Sequence, residues 1–204
     1  MGIKCGIVGL PNVGKSSLFN ILSEGKAEAA NYPFCTIEPN VGVVPVPDTR
    51  LDQLAGVYNS QKVIPTSLEF VDIAGLVEGA AQGEGLGNKF LANIRETDAI
   101  IHVLRCFDND NITHVDGSVD PVRDKEIIDI ELQLKDLESL NNRIEKVNRT
   151  AKSGDKDALR EKEILQKAIA FIESSNNIRS IDLDIKDINK FLKPLQLITS
   201  KPVL

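Results

Sequence analysis

Gly9-Leu10-Pro11-Asn12-Val13-Gly14-Lys15-Ser16 reads as G-x-x-x-x-G-K-[ST], the pattern of a loop that wraps a phosphate chain. Its setting agrees with that reading. The apolar run Ile3 to Val8 precedes it as a strand, and Ser17 to Leu22 follows as a helix. Gly9 and Gly14 let the backbone bend so that successive N–H groups, from Asn12, Val13 and Gly14 through Lys15, Ser16 and Ser17, turn inward. The helix N-terminus adds its positive end to this anion-binding nest. Lys15 is then the cation that bridges the β- and γ-phosphates, and the Ser16 hydroxyl is a ligand for Mg²⁺.

Further along the chain, the runs Val41 to Val46, Ser67 to Val71 and Ala99 to Leu104 read as strands separated by helix-length segments. Such alternation predicts an α/β fold with a mostly parallel sheet. The third strand ends in Asp72-Ile73-Ala74-Gly75, where Asp72 is placed to hold magnesium through water and the Gly75 N–H to reach a γ-phosphate. Between the motifs lies Asn31-Tyr32-Pro33-Phe34-Cys35-Thr36, whose threonine hydroxyl is placed to complete the magnesium shell while a triphosphate is bound. Together these elements predict a switch that binds ATP or GTP. A non-hydrolysing nucleotide-binding scaffold and a small-molecule kinase are the rival readings. The glycines at 75, 79, 83, 85 and 87 do not follow a strand-to-helix turn with a downstream ribose-binding acid, so a dinucleotide fold is a poor match and a mobile loop the better one.

Composition narrows the partners. The chain has 204 residues, 42% of them apolar, and a formal charge of −6, which argues against holding nucleic acid through general basicity. Sequence-specific DNA binding is therefore not expected. The first residues, MGIKCGIVGL, are broken by glycine, lysine and proline, so neither a signal peptide nor a membrane span is expected, and the location expected is the cytoplasm. Cys5, Cys35 and Cys106 are widely spaced, which fits reduced thiols.

From about Lys125 the texture changes to dense mixed charge around regularly spaced apolar residues. Ile127, Ile130, Leu134, Leu137 and Ile144 form one expected seam, Gly154 breaks it, and Ala158, Leu165, Ala168 and Ile172 resume it. The spacing predicts an antiparallel helical coiled-coil hairpin. The charge on both flanks favours a projecting arm over two helices laid on the sheet. A short helical stretch is expected over Ser180 to Leu192, and Leu197 to Leu204 reads as the start of another buried strand, as in the front part of a longer protein. The expected division is a first part of a nucleotide-binding domain at 1–124, a coiled-coil insertion at 125–195 and a return strand at 196–204.

GLPNVGKSSLFN, NYPFCTIEPNVGVVPVPDTRLD and DIAGLVEGAAQGEGLGNKFL resemble the YchF or Obg-like ATPase subfamily of translation-factor-related P-loop NTPases, over the whole chain. The resemblance implies a nucleotide-binding domain interrupted by a helical insertion, a C-terminal TGS domain, and NTP hydrolysis by a ribosome-associated protein acting in translation or stress regulation. A monomer is expected. It also implies a base-recognition motif of NxxE type after KPVL, beyond Leu204. Leu76 stands where related GTPases carry a water-positioning glutamine, so another group must orient water, and His114 is the candidate; a solvated loop histidine is the plainer reading. His102, inside an apolar run, reads as a core or sheet-edge residue. In glutamine-lacking relatives of this broad class an asparagine at the position of Asn12 helps coordinate K⁺. The alternative is that its amide only stabilises the loop.

Overall fold

The computed structural model describes residues 2–24, 41–72, 86–109, 111–115 and 117–204, with backbone alone at Ser23, Glu24, Asp72 and 86–90. In chain order the elements are β1 (Ile3–Val8), α1 (Lys15–Glu24), β2 (Val41–Pro45), α2 (Thr49–Tyr58), β3 (Ser67–Asp72), α3 (Leu86–Arg95), β4 (Ala99–His102), α4 (Pro121–Ala151) and α5 (Lys156–Glu173). The strands lie in the order β2-β3-β1-β4. β1 runs parallel to both β3 and β4, and β2 pairs antiparallel with β3. The chain is thus α/β with a mostly parallel sheet.

Alternation along β1 sends its side chains to two cores. Val8 joins Leu91 and Ile94 of α3 and Ile128 and Leu132 of α4 on one face, while Cys5 and Ile7 meet Phe70, with Phe19 and Leu22 of α1 beside them, on the other. Where the strands are covered on both faces, as β1 is from Cys5 to Val8, neighbouring positions are both apolar, which is why such stretches read as apolar runs in the sequence.

The arm is one long helix that turns back. Asp120 caps α4 by accepting from Val122 N–H and Arg123 N–H at 3.1 Å each, with Pro121 at the first helical position. Gly154, at φ +81°, takes the left-handed conformation at the turn, and Asp155 caps α5. The α5 residues expected on the seam, Ala158, Leu165, Ala168 and Ile172, are all buried.

On α4 the expected seam holds in part, since Ile127, Leu137 and Ile144 pack partly buried against the two cores. Ile130 and Leu134 face solvent, and the buried row is Asp124, Ile128, Leu132, Asp136 and Leu140. The reason is that α4 serves two cores. Its first half packs on the sheet through Ile128 and Leu132, and from Leu137 onward it packs into the core it shares with α5. The expectation of a purely projecting arm is corrected accordingly. The boundary expected at 124/125 falls inside α4.

In the tail the expected helical stretch is present, and the expected strand is shorter. The turns Ile178–Ser180 and Ile198–Ser200 are 3₁₀, and helical turns run from Ile185 to Leu195. Strand pairing begins only near Pro202: Ile100 N–H donates to Pro202 C=O at 3.0 Å and His102 N–H to Leu204 C=O at 2.9 Å, parallel to β4. Among the described residues no helix is long and apolar enough to cross a membrane, and no cluster of three His, Cys, Asp or Glu could hold a metal.

Candidate phosphate-binding site

The loop Gly9 to Ser16 leaves the carboxyl end of β1 and enters α1, where open α/β sheets bind ligands. Leu10 and Val13 pin it from below, their side chains buried in the sheet core. Gly9 is needed for close approach, since a Cβ there would run into the Val103 carbonyl oxygen. Gly14 is needed for another reason. Its φ is +102°, and a Cβ built on it meets nothing within 4 Å among the described residues. Leu18 N–H donates to Gly14 C=O at 2.9 Å as the first rung of α1, and the amides before it lie ahead of the helical ladder. The first turn of α1 carries no acidic residue to compete with an anion.

Lys15 is buried and folds back over the loop, its Nζ donating to Leu10 C=O at 2.7 Å. A lysine tethered to the loop's own backbone keeps its charge beside an anion held there. Ser16, the second residue of α1, is exposed. Gly14 at positive φ with no described residue crowding it, a lysine folded over the loop and an exposed hydroxyl fit a magnesium–nucleotide. Of the other expected ligands, Thr36 lies outside the described residues and so does the Asp72 side chain. The expected γ-phosphate contact Gly75, the loop 31–36, Leu76 and the glycines at 79, 83 and 85 lie outside as well, and Gly87 is described in backbone alone.

Asn12 adopts φ +62° and donates from Nδ2 to the Thr113 carbonyl at 3.2 Å, the geometry of a loop-stabilising amide. Its partner belongs to the segment after β4, which Arg105 organises from within. Only 2% exposed, the Arg105 guanidinium donates to the carbonyls of Phe107, Asn109 and Ile112 at 3.0–3.1 Å. His114 follows on that segment. It is not solvated: its Nε2 lies 2.9 Å from Asp124 Oδ2, and both side chains are almost wholly buried. His102 closes β4 with Nε2 buried and no hydrogen-bond partner among the described residues. Burial pushes its pKa below the ordinary histidine value.

Sequence reasoning missed Asp124, Asp136 and Arg105. The two acids carried a readable signal, because they fall on the same every-fourth-residue row as Ile128, Leu132 and Leu140, and a carboxylate on an apolar row is buried for a partner. Arg105 left none, since its partners are backbone carbonyls.

Residues 4–141 match the family model described as 50S ribosome-binding GTPase. The chain is 60% identical over 204 residues to the ribosome-binding ATPase YchF of Haemophilus ducreyi and 56% identical to that of Escherichia coli O157:H7. All of the chain is covered, and it spans 56% of those relatives' length. Among solved structures, that of the Schizosaccharomyces pombe YchF GTPase superposes with a TM-score of 0.82 at 39% identity, covering 100% of this chain and 55% of that one.

Proposed function

Because the chain belongs to the 50S ribosome-binding GTPase family of P-loop proteins and is similar throughout to the YchF ATPases, we propose that it is the nucleotide-binding part of a switch that hydrolyses ATP, and also GTP, to the diphosphate and phosphate. The observation that carries this reading is the phosphate nest: Gly14 at positive φ with no described residue crowding it, Lys15 folded over the loop, and Ser16 exposed at the start of α1.

In this reading the backbone from Asn12 to Ser17 holds the phosphates, and Lys15 offsets the charge that builds on the β–γ bridge. Mg²⁺, the usual ion of such NTPases, would be held by Ser16, Thr36 and Asp72; when bound it neutralises β- and γ-oxygens. Gly75 N–H meets the γ-phosphate, and His114 orients the attacking water in place of a glutamine. The names of the relatives support the ribosome as partner and the cytoplasm as the place of action. The protein acts as a monomer without membrane or sequence-specific DNA contacts, and the helical arm is a separate functional unit.

Single-turnover release of phosphate from γ-labelled ATP, with and without Lys15→Ala, tests the proposal. Phosphate release that Lys15→Ala abolishes is expected. Tight binding with no release would support the scaffold reading, and transfer to a small acceptor the kinase reading.

A further inference from the structure

Two contacts join the phosphate loop to the arm through adjacent residues. Asn12 Nδ2 donates to Thr113 C=O, and the next residue, His114, places Nε2 2.9 Å from Asp124 Oδ2 in the first turn of α4. Asp124 is fully engaged, because its other oxygen accepts from Arg123 Nη2 at 3.0 Å and Nε at 3.3 Å. Arg123 in turn closes the connecting loop by donating to the Ser118 hydroxyl and carbonyl at 3.0 and 2.7 Å. An ionised carboxylate only accepts, so the proton in the His114 bond sits on Nε2, and in the neutral ring Nδ1 is the atom with the lone pair.

We infer that Asp124 is a positioning residue for hydrolysis: it fixes His114 as the Nε2–H tautomer and fastens the ring to the first turn of the arm, so that Nδ1 is the atom that meets the attacking water. The inference rests on the hydrolytic reading above. In the described arrangement His114 is 8% exposed, so its ring reaches water only when the segment shifts. Because Asp124 belongs to α4, a shift of the arm carries the ring with it.

The test uses single-turnover hydrolysis of Mg-ATP by protein carrying this chain, together with ¹⁵N NMR of the imidazoles, of which the chain has two. Asp124→Asn is expected to slow the chemical step about tenfold or more while Mg-ATP affinity stays within about twofold. Asp124→Glu is expected to recover part of the rate, and His114→Ala/Asp124→Asn to be no slower than His114→Ala. Parental turnover in Asp124→Asn beside a slowed His114→Ala overturns the inference, as do rate losses that multiply in the double variant. Parental turnover in His114→Ala overturns it through failure of the histidine itself, and absence of phosphate release from every form marks failure of the hydrolytic reading. Should Asp124→Asn not fold, the parent alone decides: the Nε2–H tautomer at His114 supports the inference and the Nδ1–H tautomer overturns it.

Discussion

The Thr199 amide and hydroxyl both donate to Asp136 Oδ2 at 2.7 Å, and neither residue is exposed. Ile198 N–H donates to Asp136 Oδ1 at 2.8 Å, so one carboxylate on the arm helix gathers three donors from the turn that leads into Pro202–Leu204. Burial pushes the pKa of this carboxyl up, opposed by those same donors.

Removing that acceptor strands two backbone N–H groups where water does not reach. Asp136→Ala is expected to cost about 3–5 kcal/mol of folding stability, and Thr199→Val about 1–2 kcal/mol. Urea unfolding measures both. A loss below about 1 kcal/mol in Asp136→Ala would mean that the turn finds other partners for its amides.

The row of buried residues on α4 makes a sharper test. Ile128 is 1% exposed in the sheet core, whereas Ile130, which the sequence spacing places on the seam, is 51% exposed. Ile128→Ala is expected to cost about 2–5 kcal/mol and Ile130→Ala less than about 0.5 kcal/mol. Equal losses would contradict the register of α4 on the sheet.

That pair shows where sequence reading stops. The phosphate loop, the strands and the α5 seam were legible because each is local: a motif of eight residues, a run of Val and Ile, a helical period. α4 was not, because a single period cannot describe a helix whose first half faces a sheet and whose second half faces another helix. The His114–Asp124 pair was illegible for a different reason. Ten residues separate the partners, and the loop between them is closed by Arg123 bonded to the hydroxyl and carbonyl of Ser118, a bonding pattern with no spacing rule.

Stability should fall with pH through His102. Burial depresses its pKa, with Asp129 opposing and Lys125 and Arg179 adding to the shift. A depressed pKa means that the unfolded chain takes up the proton first, so this contribution is present above about pH 6.5 and is lost as pH falls from there through the folded value. The slope is at most about 1.4 kcal/mol per pH unit. His102→Leu is expected to flatten it between roughly pH 6.5 and 5. Unfolding free energies with the same pH dependence in parent and variant would assign the slope to other groups.

Nucleotide affinity should depend on Lys15 strongly, because the rest of the nest is built from backbone. Loss of one charge-assisted phosphate contact costs roughly 1.5–3 kcal/mol, about 10- to 150-fold in Kd. Calorimetry of Mg-ATP with Lys15→Ala reads this directly. Parental affinity in that variant would remove the phosphate-site assignment.

Asn12 can serve a monovalent cation only through one of its side-chain atoms. Its Nδ2 is committed to the Thr113 carbonyl, and an amide nitrogen does not ligate cations, so K⁺ would have to be met by Oδ1. Such an ion, bridging phosphate oxygens, would offset transition-state charge as an arginine finger does in related enzymes. The two roles of the amide then predict different results. If Oδ1 serves a cation, hydrolysis of ATP runs faster in K⁺ than in Na⁺ at equal ionic strength, and Asn12→Ala abolishes the difference while most nucleotide binding remains. If the amide only holds the loop, both salts give one rate, and Asn12→Ala acts instead by loosening the Thr113–His114 segment, lowering turnover equally in K⁺ and Na⁺. Asn12→Asp separates the roles further, since a carboxylate keeps an oxygen for the cation but has no N–H for Thr113. Salt selectivity that survives in the aspartate variant assigns the oxygen to the ion, and equal rates in both salts for the parent reject the cation role.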